Sequence, residues 1–386
     1  MAAGIVREAT SIKAAYLAEC AFIRYCFSHG STSPTRLLVW YVNKSYLRDG
    51  EIDPRELLTE ADVTRRVDRA YGDHERRIEE LASIIAKDPD LTCFADTQCA
   101  HPHSCSVCAT LLDAVDDSHV STLYRGGQLV RDLLGEGITS ILEIPAARLV
   151  HPRQRIQKRS LERRRPHVDR DALLSFLETL KYPLFYLDFE AVSMAVPQFD
   201  RVRPWEHVPY LYSLHREDEP GSEVSHMSFM MEPGVDQRRD MAVALLESLG
   251  EGGSIVVYNA SFESGILARL GMSLPDLAPE LASAQGRIVD LLEPFNEFTY
   301  YDHRQRGKVS LKTVLPILTE YDYDDESIHD GYTANLAYRS LSEGRSESRR
   351  AETLDGLVAY CAMDTLAMVE IVRTLRSIVE LEDPST

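Results

Sequence analysis

The feature that most constrains the fold of this chain is a pair of carboxylates at the end of an apolar segment. Residues 184–187 are aliphatic and aromatic, which is typical of a buried strand, and Asp188 and Glu190 follow them. Side chains two residues apart in a strand point to the same face, so the acids should emerge together. Burying two like charges is costly unless a cation neutralises them. The pair therefore predicts a site for Mg²⁺ or Mn²⁺, although Asp-x-Glu also occurs in surface turns.

Two later segments place further acids near strand and helix ends. Residues 254–259 have the pattern of a short buried strand that runs into a helix, with Glu263 in its first turn. The alternative is that Glu263 only complements the helix dipole, which is a common role of an acid in the first turn. Residues 354–379 have a long helical pattern, in which Tyr360 and Asp364 share one face because they are four residues apart. Apolar residues share that face, so a buried Asp364 needs a partner; the alternative is a solvent-exposed aspartate.

The order of these motifs resembles a known constellation. It consists of Asp-x-Glu on a first strand, an acid just after an Asn-x-x-Phe element, and Tyr-x-x-x-Asp on a late helix. The chain is similar to the DEDD exonucleases of the DnaQ-like, RNase H-like superfamily, in the subgroup with tyrosine in the last motif. More closely, residues 180–378 resemble the bacterial domain of unknown function 2779. The matching motifs are Tyr-Leu-Asp-Phe-Glu (186–190), Pro-Gln-Phe (197–199), Tyr-Ser-Leu-His (212–215), Tyr-Asn-Ala-Ser-Phe-Glu (258–263), Arg-Ile-Val-Asp-Leu-Leu (287–292), Ser-Leu-Lys-Thr-Val-Leu-Pro (310–316), Asp-Gly-Tyr-Thr-Ala (330–334) and Tyr-Cys-Ala-Met-Asp-Thr (360–365).

This resemblance implies an α/β fold, in which an RNase H-like mixed central sheet is flanked by helices. It also implies a 3′–5′ exonuclease that hydrolyses phosphodiester bonds of DNA or RNA with two Mg²⁺ or Mn²⁺ ions. The four acids Asp188, Glu190, Glu263 and Asp364 would hold the ions, and Tyr360 would orient the attacking water. The second motif usually ends in Asp, so Glu263 is a departure that moves the carboxylate by about a bond length. The alternative function is a catalytically inactive nucleic-acid-binding or scaffold protein.

Three further positions or segments carry weaker predictions. Asp290 ends an apolar run and is either a metal ligand, a partner of a ligand, or a cap for the next turn. Lys312 lies in the first turn of a predicted helix and either contacts a phosphate or is solvated. Basic residues cluster between positions 151 and 170, where Arg163, Arg164 and Arg165 could guide a nucleic-acid strand; the alternative is a solvated basic linker.

The cysteines are unevenly distributed along the chain. Four of them fall within one Cys/His-rich segment, namely Cys93, Cys99, Cys105 and Cys108. In a cytosolic chain such spacing favours Zn²⁺ or an iron–sulfur cluster over disulfides, and the alternative is reduced, partly buried thiols. Cys361 falls within a helical pattern and is expected in the core.

The first part of the chain resembles a RecB-like PD-(D/E)xK nuclease domain that begins midway, without its metal-binding acids and its early cysteine. In such domains three late cysteines join the early one around a 4Fe–4S cluster, so the resemblance implies a 4Fe–4S site from which one ligand is missing. We therefore predict three regions: a truncated RecB-like remnant over residues 1–115, a helical and basic linker over 116–169, and the exonuclease domain over 170–386. Within these, residues 11–28 and 62–87 are predicted helices, and residues 36–46 and 140–144 are predicted strands.

Composition sets limits on partners and location. The 386 residues suffice for two domains, and the formal net charge of −19 argues against indiscriminate binding to duplex DNA. No run approaches about 18 apolar residues, and the first residues lack the apolar core of a signal peptide. We therefore expect a cytoplasmic protein without a membrane partner.

Overall fold

A computed structural model describes residues 1–30, 34–86, 115–323, 330–341 and 347–381. The chain divides into two compact units, Met1–Thr92 with Val192–Val208, and Cys93–Ala191 with Pro209–Thr386. Both contain helices and sheets, in agreement with the predicted α/β class. Among the helices described, none combines the length and apolar character needed to cross a bilayer. The RNase H-like assignment and the limits at residues 115 and 169 stay predictions.

The first unit contains a three-stranded sheet with two long helices beside it. Strand β1 (Ala2–Arg7) pairs in parallel with β2 (Arg36–Val42), which pairs antiparallel with β3 (Leu58–Asp62). The core lies between the sheet and the helices, where apolar residues from both are buried. The helices of this unit are α1 (Ala14–Ser28), α2 (Pro54–Leu57) and α3 (Thr64–Ala86).

The second unit is built around a five-stranded mixed sheet in the order β7-β6-β5-β8-β9. Strands β5, β8 and β9 are mutually parallel, whereas β6 and β7 are antiparallel to each other. A short antiparallel pair, β4 with β10, lies apart from this sheet. The strands are β4 (His167–Val168), β5 (Leu184–Ser193), β6 (His207–Glu217), β7 (Ser225–Met230), β8 (Ser254–Val257), β9 (Ile288–Asp290) and β10 (Tyr300–Tyr301).

Helices pack on this sheet and bury its apolar side chains. One core cluster joins the helices at residues 170–179, 311–318 and 347–381 to strands β5 and β8. The helices are α4 (Gly127–Gly135), α5 (Pro152–Arg163), α6 (Arg170–Thr179), α7 (Arg238–Leu249), α8 (Ala260–Ser273), α9 (Ala278–Gln285), α10 (Glu293–Asn296), α11 (Leu311–Leu318), α12 (Gly331–Ser340) and α13 (Glu347–Leu381).

One predicted strand is wrong. Residues 140–144 form a 3₁₀ turn, Ile141–Glu143, rather than a strand. Ser140 and Glu143 make a reciprocal capping box, in which each side chain binds a backbone N–H of the turn. Ser140 also pairs with His119 in an isolated antiparallel bridge, but the local hydrogen bonds turn the chain there, so the pairing does not continue as a strand.

The register of β5 and β8 brings the end of β5, which carries Asp188 and Glu190, near the start of the helix that carries Glu263. Gly253, with φ of 84°, precedes β8, and a Cβ there would lie 2.0 Å from the carbonyl oxygen of Pro183. Only glycine allows this approach. Ser254 then donates its N–H to the Lys181 carbonyl at 2.7 Å, and its Oγ accepts the Lys181 N–H at 2.9 Å. The two parallel strands therefore start level, and their carboxyl ends lie at the same edge of the sheet.

Candidate metal centre

Three carboxylates from two distant parts of the sequence meet in the second unit. Asp188 and Glu190 are on β5, and Asp364 is on α13. One oxygen from each lies within 4.8 Å of the others. Asp188 is half-buried, while Glu190 and Asp364 are buried. The period of the strand brings the first pair together, and packing of α13 against the sheet adds the third acid.

Burial and mutual repulsion make this cluster unfavourable when it is fully ionised. Loss of solvation, followed by the charge of Asp364, raises the pKa of Asp188 well above its usual range. Loss of solvation also raises the pKa of Glu190, and the charges of Asp188 and Asp364 add to the rise. The positive charge of Lys312 opposes both shifts. A bound cation would favour the ionised forms, so the donor set fits a hard divalent metal.

Glu263 is a fourth buried carboxylate, outside the three-residue cluster but close enough to Asp188 for their charges to interact. It lies in the first turn of α8 and is only 2% exposed. Burial first, and then the charge of Asp188, raise the pKa of Glu263 to about 9. Its buried Oε2 has no hydrogen-bond partner within the part of the chain that the structure describes. An unpartnered buried carboxylate oxygen is costly, and a cation beside Asp188 would satisfy it.

Asp290 acts as a cap at the end of β9. Its Oδ1 accepts the backbone N–H groups of Asn259 at 2.9 Å and Leu292 at 3.0 Å, and its Oδ2 accepts that of Ala260 at 3.0 Å. Both oxygens are therefore engaged, which favours the capping interpretation over direct ligation. The cap holds Asn259 at φ of 82° and fixes the start of the helix that carries Glu263.

Tyr360 and Lys312 adjoin the acids. The Tyr360 side chain is buried, and burial followed by the charges of Asp364 and Glu190 raises its pKa above the usual value. The Lys312 Nζ lies 4.5 Å from the centre of the Tyr360 ring and 4.9 Å from that of Tyr323. Such cation–π contacts hold the ammonium group near the carboxylates.

Tyr323 is a site residue that sequence reasoning missed. Its hydroxyl donates a hydrogen bond of 2.6 Å to Oδ1 of Asp364. Burial and this contact raise the pKa of Tyr323, so the hydroxyl keeps its proton at neutral pH. The only signal in the sequence was the aromatic residues Tyr321 and Tyr323 within an acidic segment, which gives no information about a partner 41 positions away.

A polar network behind the cluster fixes α13 against β6, and it too was missed. The Thr365 hydroxyl lies 2.8 Å from Nδ1 of His215 and 2.8 Å from Oγ of Ser213. On the other side, the Cys361 thiol lies 3.3 Å from Oδ2 of Asp188. Cys361 is fully buried, as expected of a core residue, but it also contacts the acid cluster. These contacts set the position of the helix turn that carries Asp364.

The remaining predicted residues lie elsewhere. Arg163 is the last residue of α5, Arg164 closes that helix in the left-handed conformation, and Arg165 follows. All three are exposed and are not part of the carboxylate cluster. The predicted ligands Cys93, Cys99, Cys105 and Cys108 lie outside the described residues.

Comparison with known proteins relates the chain to uncharacterized ones. A segment is 26% identical over 217 residues to "Uncharacterized protein MG366 homolog" of Mycoplasma pneumoniae. The match includes 51% of this chain and 32% of that protein, so the chain spans about a third of its relative's length. No solved structure matches the chain. Residues 185–310, which contain Asp188, Glu190 and Glu263, match the model of the family described as a domain of unknown function, DUF2779.

Proposed function

We propose that residues 170–386 form a divalent-metal-dependent 3′–5′ exonuclease domain with an RNase H-like fold, which hydrolyses phosphodiester bonds of DNA or RNA. The observation that carries this proposal is the convergence of Asp188, Glu190 and Asp364, with a buried, unpartnered Oε2 of Glu263 close enough to interact with the charge of Asp188. A mixed sheet with β5 at its centre and helices packed on it supports the fold assignment.

The four acids would hold two Mg²⁺ or Mn²⁺ ions. When bound, such ions supply charge neutralisation at the scissile phosphate and lower the pKa of water. The charge of Asp188 acts on both Glu190 and Glu263, so Asp188 is the residue best placed to serve both ions. Glu190 and Asp364 would complete one site, and Glu263 would contribute to the other.

The chain's own neutral and cationic groups have separate roles. Tyr360 keeps its proton at neutral pH because its pKa is raised, so it would position a water by hydrogen bonding rather than act as a base. Tyr323 would orient Asp364 through its hydrogen bond. Lys312, held between two rings, would place a positive charge near the phosphate.

A second candidate function is nucleic-acid binding without turnover. It is favoured by Glu263, whose side chain is longer than the Asp of the resembling exonucleases, and by Tyr323, which already occupies one oxygen of Asp364. Under this reading the cysteine-rich segment would form a Zn²⁺ or 4Fe–4S module. The visible spectrum of anaerobically purified protein, together with metal analysis, tests that module.

The test of the exonuclease proposal is time-resolved degradation of 3′- and 5′-labelled single-stranded DNA and RNA with Mn²⁺ or Mg²⁺. We expect stepwise shortening from the 3′ end, abolished in Asp188→Asn. The matched control is Glu280→Gln, which removes an exposed carboxylate of α9 in the same unit. Equal cleavage by Asp188→Asn and wild type would refute the proposal. If folded wild type binds the strands without cleaving them, the second candidate function is favoured.

A further inference from the structure

A basic pocket lies at the end of helix α5 and shares no residue with the carboxylate cluster. It is a cavity of about 210 Å³, lined by Arg159, Arg163, Arg165 and His167 together with Ser160 and Val168. All of these residues belong to the second unit. Three arginines therefore line one small cavity, although the chain carries a net charge of −19.

Local structure explains why the arginines converge. Arg164 adopts the left-handed conformation, with φ of 52°, and so reverses the chain directly after α5. Ser160 reinforces the reversal, because its hydroxyl donates to the Arg165 carbonyl at 2.8 Å. The chain then enters β4, where His167 pairs with Tyr301 of β10. The turn therefore brings Arg165 and His167 back beside the last turn of the helix.

The basic residues earlier in α5 are used within the fold. Arg153 forms an ion pair with Glu297, Arg155 donates to the Leu149 carbonyl at 2.6 Å, and Lys158 donates to a backbone carbonyl at 2.7 Å. These contacts hold the helix in place. In the basic segment between residues 151 and 170, the earlier basic side chains therefore stabilise the fold, whereas the later ones line the pocket.

The pocket arginines have different surroundings from these three residues. Within the ranges that the structure describes, Arg159, Arg163 and Arg165 make no ion pair, and all three are exposed. Burial, followed by the positive charge of Arg159, lowers the pKa of His167, and Arg163 adds to the decrease, while Asp169 opposes it. The ring is therefore neutral near pH 7 and can share a hydrogen bond with a ligand. The field in the pocket is positive despite the nearby aspartate.

We propose that this pocket binds phosphate groups of a nucleic-acid strand. Guanidinium forks match the oxygens of a phosphate in geometry and charge, and they desolvate more readily than ammonium groups. The proposal rests on the proposed function, because the strand held here would be the substrate of the carboxylate cluster. Free phosphate offers the same chemistry, so the experiment separates the two sources.

The test measures binding without turnover, in EDTA, by the anisotropy of labelled single-stranded DNA and RNA. The pocket variant carries Arg159→Gln, Arg163→Gln and Arg165→Gln. Its matched control carries Arg65→Gln, Arg66→Gln and Arg69→Gln, which remove the same charge from the exposed surface of α3. The pocket variant should bind about tenfold more weakly, and its plot of log affinity against log salt should be shallower by about 2, since each single-strand phosphate contact contributes about 0.7.

Each outcome decides the proposal. Loss of affinity in the pocket variant alone supports it, whereas an equal loss in the α3 control shows a bulk charge effect and overturns it. Unchanged oligonucleotide binding in the pocket variant also overturns it. Should inorganic phosphate raise the melting temperature of wild type but not of the pocket variant, with strand affinity unchanged, the pocket takes free phosphate instead. If wild type binds the strand in EDTA through this pocket but does not cleave it when metal is added, the exonuclease proposal is refuted and the proposal for the pocket is retained.

Discussion

Replacing Glu263 with glutamine should stabilise the metal-free protein at alkaline pH. Burial raises the pKa of Glu263 from the ordinary value of 4.5 to about 9. Between these values the unfolded chain releases the proton that the folded chain retains. The free energy of unfolding therefore falls as pH rises, by up to about 1.4 kcal/mol per pH unit. From about pH 5 to about pH 8 this group alone lowers stability by at most about 4 kcal/mol.

Glutamine has nearly the shape of a protonated glutamate but does not ionise. The Glu263→Gln variant should therefore match wild type near pH 5 and exceed it by about 2–4 kcal/mol near pH 8. Urea unfolding at both pH values, in EDTA, measures the difference. Glu280→Gln is the control, because it removes an exposed carboxylate on a neighbouring helix.

With divalent metal at alkaline pH, wild type should become more stable than the Glu263→Gln variant. Mn²⁺ binds the ionised carboxylate of the folded state and raises the free energy of unfolding of wild type more than that of Glu263→Gln. If both proteins show the same dependence on pH in EDTA, Glu263 does not retain a proton in the fold. The reasoning from its buried, unpartnered oxygen would then be refuted.

Three further perturbations test the surroundings of the site. Tyr323→Phe removes the 2.6 Å hydrogen bond to Asp364 and should destabilise the metal-free protein by about 1.5–3 kcal/mol, with a smaller loss in Mn²⁺; chemical unfolding with and without metal measures both. Burial lowers the pKa of His215 to about 4, so stability should fall as pH decreases from 6.5 towards 4, and melting curves of His215→Asn should lack this component. Arg373→Met leaves the buried Glu217 without its ion-pair partner and should lower the free energy of unfolding by about 3–5 kcal/mol. Adding Glu217→Gln should restore most of this free energy, and a double variant as unstable as Arg373→Met would contradict this account.

Local rules predicted the elements that carry the acids. The alternation of side chains along β5 placed Asp188 and Glu190 on one face, and the strand-to-helix pattern placed Glu263 in the first turn of α8. The predicted helix over residues 62–87 is observed as Thr64–Ala86. These features depend on neighbours within a few positions, which a single sequence shows directly.

Contacts between distant segments could not be predicted in the same way. Nothing local pairs Tyr323 with Asp364, or His215 with Thr365, because these partners meet only when α13 packs on the sheet. The apolar residues of the segment 140–144 predict a strand, but the capping box of Ser140 stabilises a 3₁₀ turn there instead. The sequence indicated a basic cluster near Arg163, but only the left-handed turn at position 164 shows which arginines share a pocket.

The central claim is that the carboxylate cluster holds divalent metal, and anomalous diffraction from crystals soaked in Mn²⁺ tests it most directly. We predict anomalous density between Asp188, Glu190 and Asp364, with a second peak towards Glu263, and loss of both peaks in Asp188→Asn. Ordered side chains at this site with no anomalous peak, or a peak only at other residues, would contradict the account.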